Sequence, residues 1–109
     1  MATIREDYCS QELYRLLRKK GFDCEIHTTF DKDGYTQASI TLQMAMKWLR
    51  EVHNIFIEIS VSIDLNGNYH YRYYVLDKEC NYVRRNTDFD LDYEQACEAA
   101  IKYSLENLI

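Results

Sequence analysis

Residues 55–76, IFIEISVSIDLNGNYHYRYYVL, decide how this chain folds. Ile55, Ile57, Ile59, Val61 and Ile63 alternate with Phe56, Glu58, Ser60, Ser62 and Asp64, the two-residue period of a strand with one buried face. Asn66-Gly67 then marks a reversal, and Tyr69 to Leu76 reads as the hairpin partner. Two rules disagree about the turn. A two-residue Asn-Gly loop pairs Ile63 with His70 and turns Tyr69, Tyr71 and Tyr73 to solvent. A three-residue loop of Leu65, Asn66 and Gly67, with Gly67 left-handed in a bulge, moves the pairing by one. The tyrosines then join the isoleucines in the core, and His70, Arg72 and Tyr74 face outward beside Glu58, Ser60 and Ser62. A one-residue slip exchanges the faces completely, so hydrophobic patterning decides register. Burying His70 and Arg72 unpaired would cost several kcal/mol, which favours the three-residue loop.

Outward from the hairpin, a shorter strand is expected around Tyr82 to Arg85, after a turn at Asp77–Asn81. The last helix begins near Asp92, where Asp92 and Gln95 have capping-box spacing; Ala96, Cys97, Ala100, Ile101, Ser104, Leu105 and Leu108 make its inner stripe. Upstream, a helix is expected from Thr36 or Ser39 to His53, with Ala38, Leu42, Ala45, Leu49 and Val52 as its buried stripe and Asn54 as its stop. Cys24 to Phe30 alternates as a strand and Asp31 to Gly34 as a turn. Ser10 to Lys20 is a first helix, with Gly21 placed to end it and Phe22 to touch Leu17. The predicted order is α-β-α-β-β-β-α, an α+β two-layer sandwich with helices on one face of a mainly antiparallel sheet.

At 109 residues the chain fits one domain, residues 1–109, and can bury roughly 65% of its unfolded surface. It has no proline and three glycines, and neither repeats nor linkers divide it. Thirteen Lys and Arg against 18 Asp and Glu leave a net charge of −5, which argues against a duplex nucleic-acid partner. No apolar run approaches the ~20 residues of a membrane span. The first residues, Met-Ala-Thr-Ile-Arg-Glu-Asp, carry acids where a secretory signal carries an apolar stretch, so a cytoplasmic protein with no membrane partner is expected. Four cysteines without CxxC spacing then read as reduced thiols.

No arrangement of residues announces catalysis. Cys24 and His27 are three apart on an expected strand and point to opposite faces. Asp88, Asp90 and Asp92 have the spacing of the first ligands of a calcium loop, yet Tyr93 stands where that loop needs glycine and Ala99 where it needs glutamate. No catalytic, cofactor or metal residue is expected. The expected function is protein binding without catalysis, to an unidentified partner or to a second copy. The candidate surface comprises Glu58, Ser60, His70, Arg72 and Tyr74, with Tyr82, Arg84 and Arg85 on an open edge strand. The alternative is single-stranded nucleic acid stacking on Phe56, Tyr69, Tyr71 and Tyr73, which needs the two-residue loop.

Two resemblances extend this. From the second helix onward the order α-β-β-β-α, with Ala96, Ala99, Ala100 and Leu108 in the closing helix, resembles double-stranded-RNA-binding domains. That likeness implies topology. Such domains meet phosphates with a lysine-rich start to the last helix, and here that turn reads Asp-Leu-Asp-Tyr-Glu. Met46 to Ile55 (MKWLREVHNI) and Tyr93 to Tyr103 (YEQACEAAIKY) are similar to segments of small proteins, without an established activity, that are frequent in gut Bacteroidales genomes and their mobile elements. The similarity implies a bacterial or phage origin.

Overall fold

Ser10 opens the first helix because its hydroxyl accepts the Leu13 N–H at 3.2 Å. The helix, α1, spans Gln11–Lys19. It stops as the glycine predicts: Gly21 takes φ +96°, its N–H donates to Arg18 O and the Phe22 N–H donates to Leu17 O. Leu17 and Phe22 are both fully buried there. The computed structural model describes residues 4, 6–22, 27–30, 36–86 and 91–109, and over 27–30 and 36–39 it describes the backbone alone.

The segment before the second helix differs from the expectation. His27–Phe30 (β1) and Thr36–Ser39 (β2) pair antiparallel as a ribbon of their own, so residues 36–39 are strand and not the first turn of a helix. The reason lies just downstream. Ile40 O accepts the Cys9 N–H and Asp7 O accepts the Leu42 N–H, both at 2.8 Å, which holds Ile40 and Thr41 extended beside the N-terminal segment. The helix can start only after them. Thr41 caps it, accepting the Met44 N–H at 3.1 Å, and α2 runs Leu42–His53. Asn54, left-handed at φ 55°, ends it. Leu42, Ala45, Trp48 and Leu49 are buried, whereas Val52, expected on that stripe, is exposed. The expected strand residues Cys24 to Ile26 and the turn Asp31 to Gly34 lie outside the described residues.

The main sheet is a meander of β3 (Phe56–Ile63), β4 (Tyr69–Leu76) and β5 (Tyr82–Arg85), all antiparallel with β4 central. The chain returns through α3 (Tyr93–Asn107), whose N-terminus carries the full capping box between Asp92 and Gln95. The observed order is therefore α-β-β-α-β-β-β-α, an α+β fold. Helix α3 lies against β3 and β4, α2 against β3, and α1 against α3. All of this cover falls on one face of the sheet, where Ile57, Ile59, Tyr73 and Val75 meet Leu49, Ala100, Ile101 and Leu105 in the core. Among the described residues no helix is long and apolar enough to cross a membrane.

Candidate functional site

The hairpin turn sets every face above it. Ile57 pairs with Val75, Ile59 with Tyr73, Val61 with Tyr71 and Ile63 with Tyr69, the register of a three-residue loop. Asp64 builds that loop. Its N–H donates to Asn68 O, its carbonyl accepts the Gly67 N–H, and one carboxylate oxygen accepts the N–H groups of Asn66 and Asn68 at 2.8 and 2.9 Å. Gly67 supplies the left-handed residue at φ +81°. The other carboxylate oxygen of Asp64 lies 2.7 Å from His70 Nε2. These bonds, His70 first, hold the Asp64 carboxyl down at about 2.

Odd-numbered residues of both strands consequently share the helix-covered face, and even-numbered residues share the other. Glu58, Ser60, His70, Arg72 and Tyr74 come together on the uncovered face. Arg85 joins them opposite Tyr74, and Tyr82 packs edge-on against Tyr74 at 5.4 Å. Arg84 does not: it pairs with Val75 on the covered face and lays its guanidinium 5.1 Å over the Tyr103 ring of α3. The aromatic platform for nucleic acid is not assembled. Tyr73 is 5% exposed in the core, Tyr71 is half-buried edge-on to Tyr93 at 5.8 Å, and Phe56 sits on the opposite face from the three tyrosines. Tyr69 alone of them is open, at 66%.

Burial of the tyrosine face is thus incomplete, because the hairpin outruns the helices beneath it. Val61 and Ile63 remain 56% and 62% exposed beside Tyr69, with Leu65 fully exposed at the tip. The same strand carries an open edge. Pairing across an antiparallel ladder alternates, and Asp64 bonds inward to Asn68, so the even residues of β3 spend their backbone groups on β4. The odd residues of β4 correspondingly face away from β3: the Tyr71 N–H reaches Leu91 O and the Tyr73 N–H reaches Asn86 Oδ1. Ile57, Ile59, Val61 and Ile63 therefore point their N–H and C=O groups out of the sheet. No partner strand takes them among the described residues.

The other edge is protected. β5 is four residues long, ends on two arginines and carries an irregularity opposite Val75 and Leu76. Beyond it Asn86, itself buried, seals β4 with its side chain. The open edge expected at Tyr82 to Arg85 is thus the lesser of the two, and the edge that matters is β3. Sequence reasoning missed it by seating the strand near Cys24 to Phe30 in the main sheet. Because β1 pairs with β2 instead, no strand among the described residues lies along the outer edge of β3.

Elsewhere the chemistry is sparse. A groove of about 240 Å³ between α1 and α3, floored by Leu13, Leu16 and Ala99, is smaller than the ~300 Å³ at which ligand pockets begin. Burial pushes the Cys9 thiol up to about 12, helped by Glu98, and the Cys97 thiol to about 11, so neither presents a thiolate. Asp92 of the acid triplet is the α3 cap, while Asp88 and Asp90 lie outside the described residues, as does Cys24. Among the described residues no group of three His, Cys, Asp or Glu could hold a metal. At the start of α3, a hydrogen bond and charge repulsion from Asp7 push the Glu94 carboxyl above its usual range. Comparison with protein-family models, curated proteins and solved structures returned no match.

Proposed function

We propose that this chain is a protein-binding module without catalytic activity, which takes up an extended polypeptide segment along the free edge of β3. The observation that carries the reading is the conjunction, on one strand, of outward backbone groups at Ile57, Ile59, Val61 and Ile63 with exposed apolar side chains at Val61 and Ile63. Main-chain bonds supply affinity in such strand addition, and alternate side chains supply selectivity. Glu58 is the single charge on β3, so little opposes an incoming strand. On the uncovered face the side chains at that edge are Glu58, Ser60 and Ser62, backed by His70, Arg72 and Tyr74 of the central strand, so a bound segment's alternate side chains meet small polar groups and one carboxylate.

Panning a random peptide library against the protein tests this. Selected peptides should be rich in alternating β-branched residues and should shift the amide resonances of residues 57–63. Val61→Pro, which deletes one outward N–H and leaves the bonds to β4 in place, should abolish their binding. Peptides that bind this variant as well as the parent, or that shift α1 and α3 instead, contradict the proposal.

A further inference from the structure

Building on the β3 reading, we infer that the segment taken up is β3 of a second copy, paired antiparallel about a two-fold axis at Ser60. The geometry of the edge singles out that register. The outward-facing residues are 57, 59, 61 and 63. In an antiparallel pair each hydrogen-bonded residue must face another outward-facing residue across the join. Only pairing centred on Ser60 returns this set to itself, with Ile57 opposite Ile63, Ile59 opposite Val61, and the reverse. A shift of two residues toward the N-terminus calls on Ile55, whose N–H is already given to Leu49 O. A shift of two the other way sets Glu58 against Asp64 of the second copy, a like-charge pair.

The side chains agree with the backbone. On the helix-covered face every cross-strand pair joins two β-branched residues, the pairing that favours sheets. The exposed half of each strand, Val61 and Ile63, comes to lie beside the covered half of the other, Ile59 and Ile57, so the apolar surface that the helices leave open is continued into the neighbour. On the uncovered face Glu58 meets Ser62, and Ser60 meets Ser60. No like charges oppose one another. The product is a six-stranded sheet whose outer edges are the short, arginine-bearing β5 strands, so association closes at two copies.

The two-fold axis gives a specific test. Ser60 already lies opposite Arg72 within its own hairpin. Ser60→Lys would therefore line up four cations across the join, Arg72 and Lys at position 60 from each copy, on an exposed position that does not disturb the core. By sedimentation equilibrium the parent chain should associate with a dissociation constant of roughly micromolar order. Ser60→Lys should weaken this by about tenfold or more. Equimolar Ser60→Glu should draw it back into a mixed dimer. Val61→Pro, with circular dichroism to confirm its fold, should be monomeric. A parent chain that stays monomeric to about 1 mM overturns the inference and leaves a foreign strand as the occupant, which the peptide selection reads separately. A dimer indifferent to Ser60→Lys and Val61→Pro also overturns it, by placing the contact elsewhere.

Discussion

Cys80 holds a left-handed backbone at φ 63°, and the turn around it explains why. Asp77 accepts the N–H groups of Glu79 and Asn81 on one carboxylate oxygen, accepts the Cys80 N–H on its carbonyl, and gives its own N–H to Asn81 O. Asp64 does the same for Asn66, Asn68 and Gly67. The two hairpins are one device used twice, Asp-x-x-Gly-Asn in the first and Asp-x-x-Cys-Asn in the second. A side chain in this conformation costs about 1–2 kcal/mol. Cys80→Gly should therefore raise unfolding free energy by about 1 kcal/mol in denaturant titration, and Gly67→Ala should lower it by a similar amount. Asp64 adds a pH dependence. Its carboxyl titrates near 2, below its ordinary 3.8, so it favours the folded state above the ordinary value and that help fades as pH falls through 2. Carboxyl resonances followed by NMR should show this low midpoint, and His70→Ala should move it upward, since the bond to His70 is the largest cause. A midpoint unmoved by His70→Ala would assign the depression to the backbone donors.

At the scale of elements, local chemistry was legible wherever it closed on itself. The Schellman stop at Gly21 and Phe22, the Asn54 terminus and the Asp92–Gln95 box each involve residues within one turn of helix, and each stands as its spacing implied. The hairpin register followed from patterning, because the slipped alternative would have buried His70 and Arg72. What depended on distant chain segments was not legible. Residues 36–39 carry an alanine and a serine at helical spacing from Leu42. Their strand identity is set by backbone bonds from Ile40 and Leu42 to the N-terminal segment some thirty residues earlier. Thr41 is the true cap, so Thr41→Ala should cost about 1 kcal/mol in chemical denaturation. A change too small to detect would place the helix start elsewhere. Val52 shows the same limit: a stripe predicts which side of a helix turns inward, not how far along it the neighbouring elements reach.

For the molecule as a whole, the partition of strands matters more than their number. Seven apolar or serine positions surround one glutamate along β3, a composition suited to the middle of a sheet, yet the meander places this strand at its rim. The fold has short, bulged, arginine-bearing β5 on one side and long, regular β3, with Glu58 as its single charge, on the other. Sequence reading located the outward face around Ser60 and Arg72 but assigned the open edge to β5, because it could not know that β1 would pair with β2. The acidic net charge keeps copies apart in general, while the charge-poor β3 edge permits one approach. Residue-resolved hydrogen exchange tests this most directly. In dilute solution the amides of Glu58, Ser60 and Ser62 should exchange slowly, bonded to β4, while those of Ile57, Ile59, Val61 and Ile63 exchange quickly. At high concentration the second set should slow to match the first. If the odd-numbered amides are already slow in dilute solution, the edge of β3 is not free and the central claim fails; if they stay fast when the protein is concentrated, the second copy is not what the edge takes up.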